Sequence, residues 1–178
     1  NGILGILGGF ESSKHVHIKR GFLNQYLVAL GISMLLSVLL LVTVAAVVIF
    51  EVIIQQTIIQ DVLTDRIPLI ELGRYAFVIL MILITSSILL RFGTKQFHKP
   101  RFISIGSVFT TILIIFSSYF FGIWVVSFSQ YNELYGSIGT LLILMFYIWI
   151  NCMILLLGFE LNATIRKLKK QNSLNDLQ

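Results

Sequence analysis

"YLVALGISMLLSVLLLVTVAAVVIF", residues 26–50, runs for twenty-five positions without a charged side chain. A helix that crosses a bilayer needs ~20 mainly apolar residues. A helix on the surface of a soluble bundle needs polar residues every three or four positions to make a wet face. No such face can be drawn on this stretch, so its solvent is lipid.

Three further runs lack charge: residues 75–90, 102–132 and 134–159. The chain as a whole is 57% hydrophobic and 12% charged, about half the charged share of an ordinary soluble domain. The run at 75–90 is short for a span. Pro68, Leu69, Ile70 and Leu72 extend it, and Glu71 and Arg74 can snorkel to the interface. The fold predicted is therefore all-α, a polytopic transmembrane helix bundle. Its four spans fall at about 22–55, 68–91, 101–129 and 134–165, followed by a tail at 166–178, all in a single membrane domain.

The basic residues alternate in step with those spans. Three precede the first (Lys14, Lys19, Arg20), and two follow it (Arg66, Arg74). Four lie in the next connection (Arg91, Lys95, Lys99, Arg101), none in the third, and four in the tail (Arg166, Lys167, Lys169, Lys170). By the positive-inside rule, both ends of the chain and the middle connection are expected in the cytoplasm. Each charge gains ~1 kcal/mol beside anionic headgroups, which accounts for the net charge of +5 without nucleic acid. "RFGTKQFHKPRF", 91–102, interleaves Phe92, Phe97 and Phe102 with cations, but that is ordinary at a helix end, and no nucleic-acid partner is expected.

Proline marks two helix starts, Pro68 and Pro100, where a missing N–H costs little. "EVIIQQTIIQDVLTD", 51–65, is expected to prolong the first span beyond the outer surface, lying on the membrane or packing on other helices. At the start, Gly2, Gly5, Gly8 and Gly9 weaken an independent helix while suiting close helix approach. "GILGILGGF" lacks the basic lead-in of a signal peptide. The single Cys152 forms no intrachain disulfide.

The closing stretch, "YNELYGSIGTLLILMFYIWINCMILLLGFELNATIRK", resembles the C-terminal end of the YihY/BrkB family of bacterial inner-membrane proteins. The resemblance rests on Tyr131, Asn132, Tyr135, Gly136, Gly139, Trp149, Gly158, Glu160, Leu161 and Asn162. "FESSKHVHIKRGFLNQYLVAL", 10–30, is similar to the family's link into its third membrane helix. Members have six spans, so the resemblance implies two more helices on the N-terminal side. The family has carried a ribonuclease-BN-like label, and one branch is named for virulence or serum resistance.

The residues themselves offer little for hydrolysis, which needs a metal cluster or an acid and base pair in an aqueous cavity. His15 and His17 share a face only on a strand, and His98 stands apart. These read as solvated loop histidines, and no catalytic residue, metal or cofactor is expected. Within the membrane, Thr85, Ser86, Ser87, Ser117, Ser118, Asn151 and Cys152 either bond between helices or line a path for a polar solute or lipid headgroup. Glu160 sits where the helix macrodipole disfavours a carboxylate. Either its helix continues to about Lys170, or Glu160 bonds to another helix as a structural clamp or a gating group. In "YNELYGSIG", Tyr131 and Tyr135 fit an interfacial aromatic belt, and Gly136 with Thr140 has small-xxx-small spacing. Asn132 and Glu133 suit an outer entrance.

The function expected is transport of a lipid or small solute, or envelope maintenance. A membrane-bound hydrolase and a non-catalytic scaffold are the alternatives. Scarce intramembrane charge favours a lipid-like cargo over a strongly charged ion.

Overall fold

Among the described residues there are five helices: α1 (Gly2–Glu11), α2 (Phe22–Ile59), α3 (Ile67–Phe92), α4 (Ile105–Ser127) and α5 (Ser137–Asn175). The computed structural model describes residues 2–13, 16, 21–59, 67–93, 103–127 and 137–175, and holds no strand among them. Four of the helices are long and apolar enough to cross a membrane. Two are much longer than a bilayer requires. α2 has 38 residues and α5 has 39, which at 1.5 Å per residue is about 57 Å each against a hydrocarbon core of about 30 Å.

α2 to α5 run antiparallel in sequence order. Phe50 near the end of α2 meets Phe77 near the start of α3, with ring centroids 6.1 Å apart. Ser118 of α4 meets Tyr147 of α5, and Gly106 at the start of α4 meets Asn162 late in α5. One end of the bundle thus gathers Arg91, Arg166, Lys167 and Lys169, and the other gathers Glu51, Glu71 and Arg74. These are called the basic and acidic ends below.

Burial is inverted relative to a water-soluble bundle. Leu41, Met34 and Tyr119 are two-thirds exposed or more, while Ser86, Ser87, Ser107, Thr110 and Thr111 are buried. Lipid rewards that arrangement, because apolar side chains lose nothing on facing acyl chains. Inside, Ser107 and Thr111 donate to the carbonyls of Ser104 and Ser107, while Ser87 Oγ and Thr110 Oγ1 make no hydrogen bond among the described residues.

The extension of the first span is helical through Ile59. Pro68 is the second residue of α3, as first-turn proline requires, and Pro100 lies outside the described residues. α5 continues ten residues past the expected boundary at 165, to Asn175. Nothing after Gly158 breaks it: 159–175 contains neither Gly nor Pro.

The glycine-rich start folds as a helix despite its composition. α1 is held by tertiary contact rather than by propensity. Leu7 and Phe10 are fully buried, and Phe10 stacks on Phe159 of α5 with centroids 4.7 Å apart. A Cβ on Gly9 would lie 3.1 Å from Leu156, whereas Gly2, Gly5 and Gly8 face open space. Close approach therefore needs only one of the four. Phe10 also fills the space beside Gly93, just past the end of α3. α1 crosses from α2, where Ile3 and Leu4 lie near Ala29 and Leu30, to α5.

Candidate functional site: a lateral groove and its close-packed floor

The tightest packing lies at the basic end, where α4 starts against the late turns of α5. Ser104 precedes α4 as its N-cap: its Oγ accepts from the N–H of Ser107 at 3.2 Å, and its own N–H donates to Ser107 Oγ at 2.9 Å. That is a reciprocal capping box with serine at both positions. The next orphan donor, the N–H of Gly106, is satisfied from another helix by Asn162 Oδ1 at 2.9 Å. Asn162 Nδ2 in turn donates to Ser104 Oγ at 2.8 Å. One amide side chain thus completes the α4 cap and ties α5 to it.

Glycine makes that approach possible. A Cβ on Gly106 would strike the Gly158 carbonyl and lie 2.6 Å from Asn162 Cγ, and one on Gly158 would strike Thr110 Oγ1. Gly106 and Thr110, four apart on α4, make a small-xxx-small face, and Gly158 with Asn162, four apart on α5, meets it. Of the candidate positions, Gly158 and Asn162 are brought together. Glu160, half-buried two residues from each, projects from a different face of α5, and the bond to the start of α4 is made by Asn162. The sequence signal for it was "SIGS" at 104–107, a serine cap and a glycine whose partner lay 56 residues away.

Mid-bundle, Ser118 Oγ and Tyr147 Oη are 2.7 Å apart and join α4 to α5. Asn151 turns back on its own helix, donating to the Tyr147 carbonyl at 2.8 Å. Thr43 likewise donates to Leu39. Tyr131, Asn132, Glu133, Tyr135 and Gly136 lie outside the described residues, as do His15, His17 and His98. Among the described residues there is no group of three or more His, Cys, Asp or Glu able to hold a metal ion.

Above the floor, α2 leans on α3 and α1 but has no extensive packing with α4 or α5. The gap is a groove of about 440 Å³. Leu36, Leu40 and Thr43 form one wall, Ile114 and Leu155 the other, and α3 the back from Val78 to Leu89. Eleven residues of helix separate those two, about 16 Å, close to half of a ~30 Å hydrocarbon core. The lining is apolar except for the hydroxyls of Thr43, Thr85 and Ser86. α1 borders the groove at the basic end, since Leu36, Leu89 and Leu155 also pack into the cluster around Leu7 and Phe10.

The acidic end is joined differently. Arg74 on α3 pairs with Glu51 on α2 at 2.9 Å and with Glu71 at 3.5 Å, and lies 5.2 Å from the Tyr75 ring centre. Glu51 and Glu71 are half exposed there. At the basic end Glu11, the last residue of α1, is 7% exposed, and its Oε1 makes no hydrogen bond.

Comparison with known proteins agrees with this membrane architecture. Residues 1–177 match the family described as Virulence factor BrkB. A protein described as ribonuclease-like, YfkH of Bacillus subtilis (strain 168), is 36% identical over 91 residues, covering 51% of this chain and 33% of that protein. A UPF0761 membrane protein of Psychromonas ingrahamii is 29% identical over 77 residues, 43% of this chain and 26% of that protein. The matched segments thus span a third or less of those relatives. No solved structure matches the chain. With a family match along nearly its whole length and four apolar helices of spanning length, the chain belongs to the BrkB family of membrane proteins.

Proposed function

We propose that this protein binds and moves a lipid-like molecule in the bacterial inner membrane, with its basic end in the cytoplasm. The observation that carries the reading is the lateral groove behind α2. It is apolar, deep enough for the acyl chain of one leaflet, and bordered by Thr43, Thr85 and Ser86. A strongly charged ion would need buried countercharges in that space, whereas an acyl chain needs only shape and apolar contact. The distribution of Lys and Arg supports the orientation. No cofactor enters this reading.

The test is a reconstituted vesicle in which outer-leaflet fluorescent phospholipid is bleached over time. Full-length protein is expected to speed exchange between leaflets, and Ile82→Trp, which fills the groove from its back wall, to slow it several-fold. Exchange no faster than in protein-free vesicles sinks the transport reading. RNA cleavage by the same preparation would favour a hydrolase instead.

A further inference from the structure

The carboxylate of Glu11 is out of place for a purely structural group. Its residue is more than nine-tenths buried and its Oε1 has no hydrogen-bond partner, a situation that costs free energy until a donor or a cation arrives. It also ends α1, where the helix dipole is negative. The carbonyls of Gly8, Gly9 and Phe10 there already accept from Ser12 and Ser13, which leaves the carboxylate as the group that wants a cation.

Its level in the bundle identifies what kind of cation. Phe10, the preceding residue, packs beside Gly93, just past the end of α3, and on Phe159 of α5. That is the layer where α3 ends and α4 begins, the depth of a lipid headgroup. Phe10 also shares its apolar cluster with Leu36, Leu89 and Leu155, which line the groove. A molecule whose acyl chain fills the groove thus places its polar end near α1. A divalent metal wants several oxygen or nitrogen ligands, and among the described residues no cluster of acidic, His or Cys side chains supplies them. A primary ammonium carries one positive charge and three N–H donors, which suits a single carboxylate.

We propose that Glu11 recognises the primary ammonium of an amine-bearing phospholipid whose acyl chain occupies the groove. The inference rests on the groove reading above and adds the headgroup class. An anionic glycerol headgroup is repelled by the carboxylate. A quaternary choline keeps the charge but has no N–H to donate.

The experiment measures the thermal shift of full-length protein on adding phosphatidylethanolamine, phosphatidylcholine or phosphatidylglycerol with identical acyl chains. In the wild type the ethanolamine lipid is expected to give the largest shift. Glu11→Gln is expected to lower the ethanolamine shift most and the choline shift less, closing the margin between them, while Ile82→Trp lowers all three. Equal shifts in the wild type, or an ethanolamine margin that survives Glu11→Gln, overturn the role of Glu11 while the groove reading stands. Three shifts unaffected by Ile82→Trp overturn the groove reading itself. A Glu11→Gln protein that melts lower by the same amount in every lipid, its margin intact, shows a structural carboxylate only and also overturns the proposal. If Glu11→Gln does not fold, the wild type decides alone: stepwise N-methylation of the ethanolamine headgroup must shrink the shift step by step, and a flat series refutes it. Free ethanolamine giving the full shift without lipid would assign the site to a soluble amine and refute the lipid.

Discussion

The two ends of the bundle hold their helices together by opposite means. At the basic end, glycines let backbones touch, Asn162 caps a neighbouring helix, and Phe10 stacks on Phe159. At the acidic end, α2 and α3 are joined by Phe50 on Phe77 and by a half-exposed ion pair, Arg74 with Glu51. The first kind of contact depends on atomic fit in a lipid environment, where van der Waals packing and interhelical hydrogen bonds are what remain to drive association. The second kind faces water, which screens charge and weakens exposed pairs. The lateral groove lies between a close-packed end and a water-facing, charge-paired one.

Substitutions can break that contrast. The largest effect is expected for Gly158→Val, because the new side chain meets Thr110 and has no flexible neighbour to displace. It should lower stability by about 2–3 kcal/mol, read as an earlier unfolding midpoint in a detergent titration. A midpoint unchanged from wild type would mean that α4 and α5 are not in close backbone contact. A smaller loss, about 1 kcal/mol, is expected for Asn162→Ala, which leaves the Gly106 N–H without its cap. Hydrogen exchange should then speed up at the first turn of α4 and stay unchanged at its other end; uniform acceleration would contradict a local capping role. The least effect belongs to Glu51→Gln, which removes a water-facing pair. Its midpoint should stay within error of wild type at moderate salt, and a drop as large as that of Asn162→Ala would erase the distinction between the two ends.

Much of this molecule is legible in its sequence, for a physical reason specific to membranes. The bilayer acts on each helix separately: ~20 apolar residues must span it whatever their neighbours, so residues 26–50 declare a span without reference to any other segment. A glycine inside an apolar helix, such as Gly158, likewise marks a place where another helix can come close. The partner face is less visible. Gly106 and Thr110 gain meaning only once α4 and α5 are antiparallel with matched depth, and Ser104 reads as an ordinary hydroxyl until Ser107 and Asn162 surround it.

Glu160 and Asn162 show the limit most sharply. Both are polar residues at the basic end of one helix, two positions apart; the sequence offered Glu160 as a clamp, while the bond to the start of α4 is made by Asn162. Rotation by about 100° per residue gives them different faces, and only the position of α4 decides which is used. α1 teaches the same point from the other side, since its composition argues against a helix and its contacts with α2 and α5 make one.

By itself, then, the sequence determined the four long apolar helices, the lipid environment and the segregation of charge, because hydropathy and charge act residue by residue. The tertiary structure alone decided that Asn162 caps α4, that α1 borders a groove, and that Glu11 is buried with no hydrogen bond to its Oε1 among the described residues. Those facts depend on pairs of residues far apart in the chain, which no local pattern can specify.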